Sequence, residues 1–184
     1  ILCFYFFFFF YASHGFSDKQ NINNRFYNEI SDSILAGMVN LDINIPKEFI
    51  ELENPYDPEQ NWKYRLNGIK DALHDLSFYK GKIYGYFGIV PALVLYIPLK
   101  LIIKKHVSDF LASFIFVAGG FIFNVLILIN LKRRYFKTIP NWCLLLSFIS
   151  LGYSIHPFLL SKPMHYTLPS CSAYFFLSGA IYFL

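Results

Sequence analysis

An all-α, polytopic transmembrane helix bundle with a long outer loop is the fold class that this sequence predicts. Three observations carry it. The 184 residues are 55% hydrophobic and 21% aromatic, well above a soluble domain of this length. The apolar residues also fall in blocks: Phe110–Leu131 runs 22 residues without a charge, Thr138–Ser161 runs 24 and Tyr166–Leu184 runs 19. About 20 apolar residues cross the hydrocarbon of a bilayer, so each block qualifies as a span. Finally, the charged residues are concentrated in one polar stretch, His14–Lys82, with 8 Lys/Arg against 11 Asp/Glu.

Taken in order, residues 1–13 read as a truncated first transmembrane helix. The run Phe6–Phe10 signals lipid contact, and Ile1–Ala12 has neither the basic flank nor the small-residue cleavage site of a signal peptide. With no initiator Met and an apolar end, the chain is expected to be a piece of a larger polytopic protein. Residues 14–82 form the predicted extracytoplasmic loop. Within it Asn23–Ala36 reads as an amphipathic interfacial helix: Phe26, Ile30, Ile34 and Met38 recur every four residues, Asn23 or Asn24 can cap it and Gly37 can end it. Asn54-Pro55-Tyr56-Asp57-Pro58 is a turn that no helix continues through.

Residues 83–106 are an aromatic segment containing two prolines. Tyr79, Tyr84 and Tyr86, with Lys80 and Lys82 among them, favour the headgroup zone. Pro91 and Pro98 lack backbone donors and are expected to break a regular helix there. If this segment crosses the bilayer, Lys104-Lys105 and Lys132-Arg133-Arg134 fall on opposite sides. If it is re-entrant or interfacial, Lys132–Lys137 forms the cytoplasmic loop and residues 14–82 lie outside. The prolines and Lys100 favour the second arrangement. Residues 107–184 supply three transmembrane helices, the last truncated.

The formal charge of +4 gives no reason to expect a nucleic-acid partner, whereas membrane lipid is an expected one. Cys3, Cys143 and Cys171 lie far apart in apolar segments, with no metal-ligand spacing, and no metal site is expected from them. No nucleotide-binding Gly-rich loop, HExxH, serine elbow or CxxC is present. The chemistry-bearing groups are therefore the polar side chains of the outer loop. Asp18, Asp32, Asp71 and Asp75 could serve as general base or cation ligand, with plain solvated acids as the alternative. Lys80 and Lys82, with Arg25 or Arg65, could hold a phosphate at the membrane surface or simply attract anionic lipid. Tyr84 and Tyr86 could stack on a sugar or anchor the interface. His156, followed by Pro157, fits a helix kink, and Asn124 and Asn130 fit helix packing.

The order of these pieces resembles a known group. Phe26-Tyr27-Asn28-Glu29-Ile30-Ser31-Asp32-Ser33-Ile34-Leu35-Ala36-Gly37, the Asn54–Pro58 turn and Asp75-x-Ser-x-Tyr-x-Gly-Lys-x-Tyr-x-Tyr-Phe-Gly-x-x-Pro91 look like uncharacterised bacterial polytopic membrane proteins. These in turn resemble the glycosyltransferase C superfamily of protein mannosyltransferases and lipid A aminoarabinose transferases. The resemblance implies a bacterial inner or plasma membrane enzyme that transfers a sugar from a polyprenyl-phosphate donor to an extracytoplasmic acceptor. It implies an acid in the first outer loop acting as base or ligand of a divalent cation, and basic groups on the donor phosphate. Asp32 is the first candidate for the acid, then Asp18 and Asp75; Arg25, Tyr79, Lys82, Tyr84 and Tyr86 are the candidate substrate-binding residues. Two departures accompany the resemblance: Asn23-Asn24 stands where an acidic pair is usual, and Met164–Ser170 carries no acid. A non-enzymatic transporter or assembly subunit that binds a lipid-linked glycan is the alternative.

Overall fold

A computed structural model describes residues 3, 6, 10, 26–43, 45, 47–57, 59–61, 76–153 and 166–184. Described residues are mostly helical, and they belong to two compact units, residues 19–107 and residues 1–18 with 108–184.

In the unit 19–107, helix α1 spans Phe26–Leu35. Its inward face is broader than the four-residue repeat predicts: Phe26, Tyr27, Asn28, Ile30, Ser31 and Ser33 are buried, while Ile34 is only half-buried. The helix therefore packs on protein along a wide arc instead of resting a narrow apolar stripe on a surface. Gly37 ends it as expected. With φ at +75°, it lets its own N–H reach the Ile34 carbonyl (3.0 Å) and the Met38 N–H reach that of Ser33 (2.8 Å), a Schellman closure.

A single helical turn, α2 (Lys47–Ile50), sets the buried Phe49 edge-on against Phe78, with ring centroids 5.1 Å apart. The Asn54–Asp57 turn forms as its side chains dictate. The Asp57 N–H donates to the Asn54 carbonyl (3.0 Å), and the Asn54 Oδ1 accepts from the Tyr56 N–H (3.1 Å). The Asp57 carboxylate then caps the following helical turn through the Glu59 N–H (2.9 Å).

Two expectations need correction in the next stretch. The first is the all-α class, because Leu76–Tyr79 (β1) and Lys82–Gly85 (β2) form an antiparallel hairpin. Lys80 and Gly81 both take positive φ, +48° and +73°, which gives the two-residue turn whose twist matches the strands. Ile83 is buried and also pairs with Leu41, whose N–H donates to the Ile83 carbonyl at 2.8 Å. The second correction concerns the prolines. Helix α3, Ala92–Ile103, continues through Pro98. Its first turn is widened to a π-helix over Ala92–Tyr96, and the Ile97 N–H bonds to the Ala92 carbonyl. The wider turn makes room for a ring that would collide with the carbonyl four residues back and that lacks a donor to bond it. Pro91 sits at the helix start, where its missing donor costs little.

Helices α1 and α3 meet through aromatic rings. Tyr27 lies on Tyr96, centroids 5.6 Å apart, and both are fully buried. Beyond α3, Val107 is tied back to α1 by a side chain acting as a strand would. The Asn28 Nδ2 donates to the Val107 carbonyl (2.8 Å), and the Val107 N–H donates to Asn28 Oδ1 (2.9 Å).

In the other unit, α4 (Asp109–Tyr135) has 27 residues, about 40 Å at 1.5 Å per residue. Among the described residues it is the helix long and apolar enough to cross a membrane. It extends past the predicted block to include Lys132, Arg133 and Arg134, so these cations close the last helical turn, where they suit the negative end of the macrodipole, instead of forming a loop. Of the other predicted spans, α5 is described over Asn141–Tyr153, with the rest of that block outside the described residues, and α6 covers Thr167–Phe183. Leu145, Leu146, Phe176, Leu177 and Ile181 on them are exposed.

Helices α4 and α6 approach closely because glycines line the contact. A Cβ at Gly119 would lie 2.6 Å from the Phe175 ring, and one at Gly120 would lie 2.4 Å from that of Tyr174. The Asn124 Nδ2 lies 3.0 Å from the Tyr174 hydroxyl and 2.7 Å from Ser178 Oγ, which fixes the Tyr174 ring from its far end. Gly120→Ala is therefore expected to destabilise the chain by about 1–3 kcal/mol, since the ring cannot withdraw freely. Gly88→Ala, where nothing lies within 4 Å, should be neutral in the same thermal unfolding measurement. Equal midpoints for the two variants would contradict this packing.

Candidate functional site

Asp32 leaves α1 on its exposed side and meets Lys100 of α3. The Lys100 Nζ donates to Asp32 Oδ1 at 2.6 Å and to the Asn28 carbonyl at 2.8 Å. The two partners differ in environment: the lysine side chain is 9% exposed and the carboxylate 55%. Screening at the wet end keeps the pair worth no more than about 1 kcal/mol to stability, so its main effect is to fix both groups in place. Asp32 and Lys100 line an open cleft with Leu35, Lys104, Lys105 and His106. Lys104 takes a left-handed conformation (φ +55°) and closes α3 through its N–H to the Lys100 carbonyl (2.8 Å), which turns the chain so that three lysines border one depression. Among the described residues lining it, three ammonium groups against one carboxylate leave a local excess of positive charge suited to an anion.

The hairpin gathers part of the predicted substrate-binding set. Tyr79 pairs with Lys82 and Ser77 with Tyr84, so these four side chains share one face. Tyr79 is 55% exposed, with the Lys80 ammonium 5.2 Å from its ring centroid; Lys82 is exposed and Tyr84 half-buried. Tyr86 follows the strand, exposed, with its ring 5.6 Å from that of Phe87. Asp18, Asp75 and Arg25 lie outside the described residues, as do Asp71, Arg65 and His156. Among the described residues no three His, Cys, Asp or Glu side chains come together as a metal site.

Sequence reasoning read Lys100, Lys104 and Lys105 only as markers of orientation. The cluster Lys100, Lys104 and Lys105 at the end of an apolar run is a signal that could have singled them out, since cations favour a helix C-terminus. Nothing local announces that Lys100 meets Asp32, 68 residues away.

Comparison with protein families, characterised proteins and solved structures finds no match for this chain.

Proposed function

We propose that this chain is part of a polytopic bacterial membrane glycosyltransferase that draws its sugar from a polyprenyl-phosphate donor. The reading rests on one observation above the others: a cationic cleft with a carboxylate in it, on the same chain as a helix of membrane-spanning length. Lys104 and Lys105 hold the donor phosphate and Lys100 orients Asp32. Asp32 takes the proton from the acceptor hydroxyl as its oxygen bonds the anomeric carbon of the sugar; the bond from that carbon to the phosphate oxygen breaks, and polyprenyl phosphate leaves with its charge held by the lysines. Residues 14–82 face the extracytoplasmic side in this reading, and the polyprenyl tail lies in lipid beside the spans.

A second reading, a non-enzymatic subunit that binds a lipid-linked glycan, is favoured by the Asp32–Lys100 contact itself. A carboxylate already engaged at 2.6 Å is less free to accept a substrate proton.

Both readings require phosphate binding at the cleft. In the full-length protein, Lys104→Ala with Lys105→Ala should weaken binding of a polyprenyl-phosphate analogue roughly 10- to 100-fold, the scale of losing charge-assisted hydrogen bonds. Lys82→Ala, on the hairpin, serves as the comparison. If Lys82→Ala weakens binding and the double variant does not, the phosphate site belongs on the hairpin face instead. Appearance of labelled sugar on an acceptor then separates enzyme from binding subunit.

A further inference from the structure

The uncharged block Phe110–Leu131 of α4 runs 22 residues, about 33 Å at 1.5 Å per residue, close to the roughly 30 Å of a bilayer's hydrocarbon. A span of that length leaves the hydrocarbon at Lys132. The chain changes character there at once: Lys132, Arg133 and Arg134 close the helix, and Lys137 follows in the turn. A short link, residues 136–140, leads into α5 at Asn141. The Lys132 ammonium donates to Asn141 Oδ1, which pins the end of one helix to the start of the next. Arg133, Arg134 and Lys137 are exposed. No Asp or Glu occurs in the sequence from Phe110 to Leu184, so neither helix supplies them with a counter-charge.

What surrounds these cations narrows the anion they suit. Tyr135 is 71% exposed, and Trp142, in the first turn of α5, is 62% exposed. Amphipathic rings turned outward beside cations at the end of a span match the headgroup zone of a bilayer. One and two turns further along the Trp142 face of α5, Leu145, Leu146 and Ile149 are exposed as well. The exposed surface of this corner therefore runs from charge, through amphipathic rings, to bare aliphatic side chains. A phospholipid has the same order: phosphate, ester-bearing glycerol, acyl chain. Attraction to the helix dipole accounts for cations in the last turn of α4, but not for Lys137 beyond it or for the rings. A nucleic acid or an acidic protein would meet the charges and leave the aliphatic row uncovered. Guanidinium forks at Arg133 and Arg134 match the oxygens of a phosphate, with Lys137 as a third point of charge.

We infer that the α4–α5 corner is a binding site for an anionic phospholipid, with the headgroup phosphate on Arg133, Arg134 and Lys137 and an acyl chain along α5. The site needs only that α4 crosses a bilayer. It shares no residue with the lysine cleft and stands whether or not sugar is transferred.

The chain has two tryptophans, so Trp62→Phe leaves Trp142 as a reporter at the site. This variant of the full chain is placed in vesicles of phosphatidylcholine and phosphatidylglycerol, with bromine on the acyl chains of one lipid at a time, because bromine quenches an indole that its chain touches. The association ratio read from the quenching should favour phosphatidylglycerol by at least about fivefold, the contribution of one cation at an anionic surface. It should shrink as salt is raised. Neutralising the three exposed cations together, with Arg133→Gln, Arg134→Gln and Lys137→Gln, should bring the ratio to about one. If that variant fails to fold, the salt series on the parent decides. Lys104→Ala with Lys105→Ala should leave the ratio unchanged. Equal quenching by the two lipids would remove the headgroup site while leaving α4 in the bilayer. Quenching by neither would mean that protein covers Trp142, and a preference undiminished by salt or in the triple variant would take the cations out of it; each would overturn the assignment.

Discussion

Asp32→Asn is expected to cut sugar transfer a few hundred-fold while slightly tightening phosphate binding. The first half follows from the proposed role, since removing a positioned general base costs on the order of 10²–10⁴ in rate. Folding should survive, because the carboxylate is more than half exposed and the amide keeps its shape. The second half follows from charge. Neutralising Asp32 beside the three lysines of the cleft removes a repulsion worth, at about 6 Å in water-like surroundings, enough for roughly threefold in affinity. Lys100→Met should do the opposite to binding, because it takes away a cation and leaves Asp32 without its partner. This pairing of outcomes discriminates between the two functional readings: a binding subunit would show the affinity changes with no transfer to lose. Transfer by Asp32→Asn at the wild-type rate would remove Asp32 as the base and shift the role to Asp18 or Asp75.

Asn28→Ala is expected to cost about 3 kcal/mol, the largest stability effect among the substitutions considered. Asn28 is 2% exposed, and its amide satisfies both the N–H and the carbonyl of Val107. Alanine strands both groups, at roughly 1–3 kcal/mol each, with part of the cost recovered as water enters. For a unit of this size that corresponds to a fall of about 12–24 °C in thermal midpoint. Asn28→Asp keeps the acceptor for the Val107 N–H but sets a carboxylate against the Val107 carbonyl, so it should not rescue. Circular dichroism of the full chain across a thermal ramp measures both variants. A midpoint for Asn28→Ala within a few degrees of wild type would show that the bridge to Val107 carries no weight.

What could be read from the sequence was what local chemistry decides. Gly37 ends its helix because a residue with positive φ is needed there, and Asn54 and Asp57 shape their turn with their own side chains. The presence of α4, though not its final turn through Lys132–Tyr135, follows from its uncharged block. The hairpin escaped because Tyr79, Tyr84 and Tyr86 look the same in a membrane belt as on a strand face. Its own mark, the two-residue Lys80-Gly81 link between Tyr79 and Lys82, was carried by strands only four residues long. The broad buried face of α1 was hidden for a different reason: Asn28 is buried by a partner that only the tertiary fold supplies, and Ser31 hides its hydroxyl on its own helix. The Ser31 hydroxyl bonds to the Tyr27 carbonyl (2.6 Å), and Asn28 to Val107. Likewise the candidate site joins residues too distant in the chain for any periodicity to link.

The widened turn ahead of Pro98 has a geometric consequence for the lysine beyond it. A π-turn accommodates one residue more than an α-turn, and in an α-helix each residue advances the azimuth by about 100°. Everything downstream of Tyr96 is therefore dialled round by that angle relative to an uninterrupted helix. Lys100 lies four residues past that point, and in its present phase it reaches both the Asn28 carbonyl and Asp32. Had the helix kept an even pitch, the same lysine would emerge on another side. A proline with no functional group of its own thus acts as a phase setter, determining which carboxylate the nearest cation can find.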